Sequence, residues 1–271
     1  MIHLREIQVR SSDHLSDTTF PFNLPIIQSL TSLTLESSVT FLVGENGSGK
    51  STLLEAIACA VGSITVGAES VERDDSLEAM RQLATLFKLI WNKRTRKGFF
   101  MRSEDFFGFV KQQAKIRADM LAELRRVDEE YAERSELAKG LAKMAFAGEL
   151  HAMKQQYGEN LDGYSHGESY FTLFKSRFIR GGLYLLDEPE APLSPMRQLA
   201  FLAMLDDMVK QDAQFIIATH SPIIMAYPNA TILQFTDGEV EQVAYDDLEH
   251  VTITRSFLND PQAYLRHLMG E

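Results

Sequence analysis

The sequence predicts an α/β fold with a mostly parallel central sheet, an N-terminal antiparallel β subdomain and an inserted helical lobe. Apolar runs typical of buried strands occur at residues 39–43, 183–186 and 215–218, and a helical pattern follows each of the first two. Residues 1–38 instead alternate weakly between apolar and polar side chains, which is typical of short antiparallel strands. A long charged helical pattern separates the first apolar run from the second, so we expect the helical lobe at about residues 104–165.

Length and composition indicate one folded domain of residues 1–271. With 45% hydrophobic residues, the chain can bury a sizeable core. No apolar run reaches the roughly 18–20 residues that cross a bilayer, and no basic region followed by an apolar stretch opens the chain. We therefore expect a cytoplasmic protein without membrane insertion. The single cysteine, Cys59, excludes an internal disulfide, and the net charge of −11 disfavours nucleic-acid binding by the whole surface.

A glycine-rich loop connects the first apolar run to a helical pattern. Its residues are Gly44, Glu45, Asn46, Gly47, Ser48, Gly49, Lys50, Ser51 and Thr52. The spacing from Gly44 to Lys50 and Ser51, between a buried strand and a helix, matches the P-loop, whose backbone N–H groups cradle phosphates. In a P-loop the lysine reaches the β- and γ-phosphates and the serine hydroxyl binds Mg²⁺, so the sequence predicts these roles for Lys50 and Ser51.

An aromatic ring upstream of a P-loop can stack on a nucleotide base, which makes Phe20 and Phe22 candidates. The alternative, that both rings pack beneath the sheet, is the commoner arrangement. For the loop itself the alternative is a glycine turn with a surface lysine, but that does not account for the strand and helix on either side.

The segment after the P-loop helix combines a helical pattern at residues 77–91 with a basic run. The basic residues are Lys93, Arg94, Arg96 and Lys97, with Lys88 and Arg102 nearby. This run is the best candidate for DNA contact in an acidic chain, although a solvated loop is the commoner role of such a run.

The helical lobe is expected after a short strand at residues 98–101. Ser103 is a suitable N-cap, and acidic residues follow it in the first turn. Apolar residues recur at helical spacing over residues 109–137, and Gly140 and Gly148 are expected to loosen the chain afterwards. The apolar stripe of this lobe could bind a partner helix or pack on its own domain.

Three later motifs narrow the class of P-loop protein. Ser165 and Gly167 open a helical pattern, where a hydroxyl, free amides and the positive end of the helix dipole suit a γ-phosphate. An apolar strand then ends in Asp187 and Glu188; the first is placed to hold Mg²⁺ and the second to polarise an attacking water. A further strand ends in His220, which should emerge at the same edge of a parallel sheet.

Each motif has a structural alternative. An ordinary capped helix explains the first motif equally well when it is taken alone. A lone histidine at a strand end is usually structural. Two adjacent carboxylates repel each other unless a cation lies close, however, so a purely structural role for Asp187 and Glu188 is disfavoured.

Taken in order, the P-loop and these three motifs resemble an ABC-type ATPase, of the stand-alone branch that is similar to SMC, RecF and OLD ATPases of the AAA family. The resemblance implies ATP and Mg²⁺ as ligands, ATP hydrolysis, and an ATP-dependent homodimer with two ATP molecules at its seam. It also implies that the helical lobe transmits closure of the dimer to an unknown protein partner.

The resemblance further implies a role for each site residue. Lys50, Glu188 and His220 would be catalytic, and Ser51 and Asp187 would bind the metal. Ser165 and Gly167 of the second copy would cap the γ-phosphate held by the P-loop of the first.

The sequence departs from this family pattern in three places. His166 stands where transporter subunits usually carry glycine. Residues 98–107 contain no glutamine although one is expected, which makes Ser103 or Glu104 candidates to replace it near Mg²⁺. Residues 190–195 lack the transporter pattern and are similar to the stand-alone ATPases. These features favour a role outside membrane transport. The alternative is a nucleotide-binding subunit of a membrane transporter. A role in DNA repair or defence is compatible with the non-transport role.

The C-terminal part is expected to contain two strands, at residues 231–235 and 239–245, around a turn at Asp237 and Gly238. A final helix is expected at residues 261–268.

Overall fold

The structure is a computed structural model that describes residues 1–10, 19–66, 75–157 and 166–269. The strands are β1 (Leu4–Val9), β2 (Ser32–Thr34), β3 (Val39–Gly44), β4 (Phe87–Trp91), β5 (Phe100–Met101), β6 (Leu183–Asp187), β7 (Gln214–Ala218), β8 (Thr231–Thr236) and β9 (Glu239–Gln242). The helices are α1 (Pro25–Ser29), α2 (Lys50–Val61), α3 (Glu78–Ala84), α4 (Ser103–Glu130), α5 (Glu136–Tyr157), α6 (His166–Arg177), α7 (Pro195–Val209), α8 (Pro222–Met225), α9 (Glu249–Asn259) and α10 (Pro261–Met269).

The central sheet has the order β5-β6-β7-β3-β8-β9. The pairs from β5 to β8 are parallel and only the pair of β8 with β9 is antiparallel among the described residues. The predicted mostly parallel sheet is thus confirmed. In this register Asp187, the last residue of β6, lies beside Ala218, the last residue of β7. Because β3 is parallel to β7, the segments after β3, β6 and β7 all leave the same edge of the sheet.

The inner strands of the sheet are buried on both faces, which explains their mostly apolar runs. Adjacent residues of β3 point to opposite sides: Leu42 belongs to a hydrophobic cluster with Leu53 and Leu54 of α2, whereas Phe41 belongs to a second cluster with Phe201 of α7. The side of Phe41 also carries an aromatic cluster that includes Tyr170, Phe174, Tyr184 and Phe215. Rigid packing on both faces fixes the strand ends that carry the candidate site.

A small antiparallel sheet of order β2-β1-β4 confirms the predicted N-terminal antiparallel subdomain. The prediction of one helix over residues 77–91 is wrong in its second half, because α3 ends at Ala84 and β4 begins at Phe87. Phe87 is buried and Lys88 is exposed, so this short segment also fits a strand period. Pairing of β4 with β1 satisfies its backbone groups and overrides the local helical spacing.

The helical lobe consists of α4 and α5, which are separated by a turn at residues 131–135. The predicted helix over residues 109–137 is thus confirmed up to Glu130, where α4 ends, and is wrong for the last residues. Gly140 and Gly148 do not loosen the chain, since α5 runs through both. Exposed glycine costs a helix only about 1 kcal/mol relative to alanine, which neighbouring contacts can offset.

One such contact joins the two helices of the lobe. The carboxylate of Asp128 on α4 lies 2.7 Å from Lys139 Nζ and 2.5 Å from Lys143 Nζ on α5. Because these groups are partly exposed, the contact contributes little free energy, but one carboxylate contacts two lysines that lie one helical turn apart.

The C-terminal part contains the predicted strand pair, as β8 and β9, and the predicted last helix, as α10. The helix α9, by contrast, was not predicted from the sequence. Within the described ranges, no helix is both long enough and apolar enough to span a bilayer.

Candidate functional site

The P-loop segment joins the end of β3 to the start of α2 as predicted. Gly44 and Gly49 have φ angles of 146° and 94°, values at which side-chain-bearing residues are strained. A Cβ on Gly49 would lie 2.5 Å from Ile26 Cγ2, and one on Gly44 would lie 2.6 Å from the Phe235 carbonyl oxygen. Both positions therefore require glycine for conformation and for space.

The remaining loop residues face the solvent side of this cradle. Glu45, Asn46 and Gly47 are exposed, and Ser48 and Thr52 are half-buried. An open loop at the start of a helix is accessible to an anionic ligand.

Lys50 is buried at the first position of α2. Its ammonium donates hydrogen bonds to the carbonyl oxygens of Gly44, at 2.8 Å, and Glu45, at 2.7 Å. Burial lowers the pKa of Lys50, while the charges of Asp187 and Glu188 act in the opposite direction. The loop thus carries a positive charge that is held by backbone carbonyls and faces two carboxylates.

The Ser51 hydroxyl donates a hydrogen bond of 3.1 Å to Asp187 Oδ1. Asp187 is buried, and burial raises its pKa to about 6, with the hydrogen bond from Ser51 acting against the shift. A bound cation would relieve the desolvation of this carboxylate.

The donor set at Ser51 and Asp187 fits Mg²⁺, which prefers oxygen ligands and commonly uses one or two carboxylates together with phosphate and water. No cluster of three or more histidine, cysteine, aspartate or glutamate side chains that could hold a metal occurs among the residues that the structure describes.

Glu188 and His220 lie together at the same edge of the sheet, with 3.9 Å between Glu188 Oε1 and His220 Nε2. Both side chains remain partly exposed. Burial and the charge of Lys50 lower the pKa of His220, whereas the charge of Glu188 raises it. Glu188 has a φ angle of 47°, which is unusual outside glycine and typical of strained functional positions. The structure therefore brings together Lys50, Ser51, Asp187, Glu188 and His220.

The remaining predicted site residues are Ser165 and Gly167. Ser165 lies outside the described residues. Gly167 is the second residue of α6, where the sequence predicted a helix start.

The predicted base-stacking candidates differ in environment. Phe22 is buried and belongs to the hydrophobic core, which agrees with the packing alternative. Phe20 is 57% exposed.

Two polar residues beside the site carry contacts that the sequence did not indicate. The Arg102 guanidinium, between β5 and α4, lies 3.6 Å from Glu55 Oε1 of α2 and 3.2 Å from Asp105 Oδ1 of α4. Glu190 accepts a hydrogen bond of 2.7 Å from the backbone N–H of His220. The contacts of Arg102 with Glu55 and of Glu190 with His220 join segments far apart in sequence, so no local pattern could have revealed them.

Arg102 lies next to the two residues that were predicted to replace the missing glutamine. The candidate replacements were Ser103 and Glu104, which begin α4. The Glu104 carboxylate is 73% exposed and lies 3.4 Å from Arg102 Nε. Burial raises the pKa of Glu55, which faces Arg102, to about 7.

The basic run lies at the opposite edge of the sheet from Asp187. The N–H of Leu183, the first residue of β6, donates to the Lys97 carbonyl oxygen at 2.9 Å, and Thr95 Oγ1 donates to the Gly181 carbonyl oxygen at 3.0 Å. The exposed side chains of this surface are Lys93, Arg94, Arg96, Lys97 and Arg180, which we call the basic surface. Arg102, which the sequence grouped with it, belongs instead to the network with Glu55.

A sequence profile described as ABC transporter matches residues 30–191, more than half of the 271-residue chain. No curated protein matches the chain significantly.

Several solved structures resemble the chain weakly. CbiO1 from Clostridium perfringens, described as part of the ABC transporter complex cbiONQ, is 16% identical with a TM-score of 0.48 and full coverage of both chains. The Smc head domain from Pyrococcus furiosus, bound to the C-terminal domain of ScpA, is 12% identical with a TM-score of 0.47, covering 95% of this chain and 100% of that chain. The ADP conformation of an ATP-binding cassette of an ABC transporter is 14% identical with a TM-score of 0.45, covering 99% of both chains. These values are too low to carry a conclusion about function.

Proposed function

Because the chain belongs to the ABC transporter family, we propose that it binds ATP with Mg²⁺ and hydrolyses ATP to ADP and phosphate. The observation that supports this best is the convergence of the P-loop, Asp187, Glu188 and His220 at one edge of the sheet. These groups come from the ends of three strands, and parallel sheets bind ligands at that edge.

The P-loop residues bind and orient the triphosphate. Backbone N–H groups at the start of α2 donate to phosphate oxygens, aided by the positive end of the helix dipole. The Lys50 ammonium exchanges its bonds to the loop carbonyls for bonds to the β- and γ-phosphates. Ser51 and Asp187 would hold Mg²⁺, which would neutralise part of the phosphate charge.

Glu188 acts on the attacking water. Its carboxylate accepts a proton from the water as the oxygen approaches the γ-phosphorus, so Glu188 holds that proton after the phosphate has left. His220 lies within 4 Å of this carboxylate and donates to a γ-phosphate oxygen or orients the water.

We further infer an ATP-dependent homodimer in which Ser165 and Gly167 of one copy cap the γ-phosphate bound to the other. Supporting this is the position of Gly167 in the first turn of α6, where free backbone N–H groups suit an anion. ATP would bridge the copies only while its γ-phosphate is attached, so hydrolysis opens the dimer. The helical lobe, α4 and α5, would then pass the motion to a protein partner.

The biological role that we favour is that of a stand-alone, cytoplasmic ATPase similar to SMC, RecF and OLD proteins. Two departures in sequence support this role: residues 98–107 lack the expected glutamine, and residues 190–195 lack the transporter pattern. The alternative, a transporter subunit, is supported by the description of the matching family. Recovery of the chain with the membrane fraction, and its release by detergent with a transmembrane partner, would favour that alternative.

The basic surface supports the proposal that this ATPase acts on DNA. Its five cations are exposed and lie at the sheet edge opposite the nucleotide site. DNA bound there would affect ATP turnover through the fold rather than by direct contact.

The direct test of the proposed function is release of phosphate from ATP by the purified chain, with and without Mg²⁺. Lys50→Ala should abolish turnover, while exposed Lys210→Ala is the matched control. Equal phosphate release by Lys50→Ala and the wild type would refute ATP hydrolysis at this site.

A further inference from the structure

The segment between β6 and α7 forms a tight turn that directs Glu190 back toward the site. The Ala191 N–H donates to the Glu188 carbonyl oxygen at 3.1 Å, with Pro189 at the second position, where its fixed φ suits a turn. The Leu193 N–H then donates to the Glu190 carbonyl oxygen at 2.8 Å. These two bonds leave the Glu190 backbone little freedom.

The Glu190 side chain connects this turn to the segment after β7. Its Oε1 accepts the His220 N–H at 2.7 Å, and the Thr219 side chain also hydrogen-bonds to the carboxyl group. A second hydrogen bond connects the same two segments at the end of β7, where the Glu188 N–H donates to the Ala218 carbonyl oxygen at 2.9 Å. The two residues proposed to act on water, Glu188 and His220, are thus each tied to the other's segment.

The environment of Glu190 is unusual for an acid. Its Oε2 atom is buried and has no hydrogen-bond partner among the described residues. The phenol of Tyr170 on α6 is also buried without a partner in the described parts of the chain, and the charge of Glu190 acts on it. Burying a carboxyl group costs free energy that an exposed residue avoids, so stability alone does not explain Glu190.

We propose that Glu190 is a positioning residue, which holds the His220 backbone and thereby keeps the His220 and Glu188 side chains in reach of each other. This inference rests on the proposed ATP hydrolysis. Without the carboxyl group, the His220 N–H has no acceptor, and the segment after β7 shifts to find water. A displacement of about 1 Å in a reacting group can cost up to about 100-fold in rate.

Two substitutions separate positioning from general stability. Glu190→Ala removes the acceptor, so kcat should fall about tenfold or more while the affinity for ATP changes little, because the P-loop is untouched. Glu190→Gln retains an amide oxygen that can accept the His220 N–H, so it should keep most of the wild-type kcat. Equal kcat for Glu190→Ala and the wild type would overturn the proposal, as would equal losses in both variants.

Hydrogen exchange supplies a readout that needs no ATP turnover. The His220 amide should exchange slowly in the wild type and in Glu190→Gln, and faster in Glu190→Ala. Tyr170→Phe is the control, since it removes a buried polar group near Glu190 without touching the His220 bond; it should leave both kcat and exchange unchanged. An unchanged His220 amide in Glu190→Ala would overturn the positioning role. Absence of ATP turnover in the wild type would instead refute the proposed function.

Discussion

The Ser51 hydroxyl, in the first turn of α2, donates a hydrogen bond to Asp187, the last residue of β6. This bond connects the P-loop helix to the adjacent acidic strand across 136 positions of sequence. It places two oxygen donors of different chemistry side by side at the predicted metal site.

We expect Asp187→Asn to weaken the dependence of the reaction on Mg²⁺. The amide can still accept the Ser51 bond but lacks the charge that attracts a cation, so half-maximal activity should require about tenfold more Mg²⁺. The measurement is ATPase rate against Mg²⁺ concentration, with exposed Asp207→Asn as the control. An unchanged Mg²⁺ requirement would remove Asp187 from the metal site.

Glu188→Gln should bind ATP but hydrolyse it about 100-fold more slowly or worse, because the amide cannot accept the proton of the attacking water. The trapped ATP should hold the chain as a dimer. Light scattering with saturating Mg²⁺ and ATP measures this, and exposed Glu241→Gln should remain like the wild type. A monomeric Glu188→Gln protein with ATP bound would contradict the dimer, and normal turnover would contradict the role of Glu188.

Glu55 should make the free energy of unfolding depend on pH. Its folded-state pKa of about 7 lies above the unfolded value of about 4.3, so the folded chain binds more protons between these values. Its contribution to stability is thus greatest below about pH 4 and is lost as pH rises to about 7. Urea unfolding without Mg²⁺ at pH 5 and pH 8 should show Glu55→Gln gaining stability relative to the wild type at the higher pH. A constant difference between the two proteins would contradict the raised pKa.

Gly98→Ala should destabilise the fold. Gly98 has a φ angle of 112°, and a Cβ there would lie 1.8 Å from the Leu183 carbonyl oxygen, next to β6. Backbone strain alone should cost about 1–3 kcal/mol, and the clash adds to it. Gly140→Ala is the contrasting control: its Cβ meets nothing within 4 Å inside α5, so it should stabilise by up to about 1 kcal/mol. Urea unfolding measures both, and equal stabilities would contradict the described backbone at Gly98.

Charge reversal tests the basic surface. If it binds DNA, the double variant Lys93→Glu and Arg94→Glu should lose binding, and the dependence of affinity on salt should become shallower by roughly 0.9 per lost phosphate contact. The matched control reverses Lys111 and Lys115, which are exposed on α4. A gel shift with duplex DNA at several salt concentrations is the measurement. Equal binding by both double variants would exclude the basic surface.

The buried strands and the P-loop could be predicted from the sequence because a single physical constraint determines each of them. The strands β3, β6 and β7 are covered on both faces, so nearly all of their residues are apolar until the strand reaches the ligand edge. That constraint also predicts the position of Asp187 and His220, because parallel strands end together. The P-loop was predictable for a similar reason, since few sequences other than glycine-rich ones can adopt its backbone.

The predictions that were wrong or missing concern features that depend on contacts between segments distant in sequence. The segment that became β4 fits both a helix and a strand, and only its pairing with β1 decides. Glycine at position 140 is a helix breaker by local propensity, yet α5 continues because it packs on α4. The roles of Arg102 and Glu190 depend on partners 47 and 30 positions away, at Glu55 and His220.

The length of α4 has a mechanical consequence. Its 28 residues, at about 1.5 Å each, give a rod of roughly 42 Å that is anchored at one end by Arg102. A tilt of about 10° at that anchor would swing the far tip by roughly 7 Å, by the geometry of a rod of this length. If ATP binding tilts α4 in this way, a rearrangement of about 1 Å near the phosphates would become a displacement of several Å at the far end of the helix, by the same geometry.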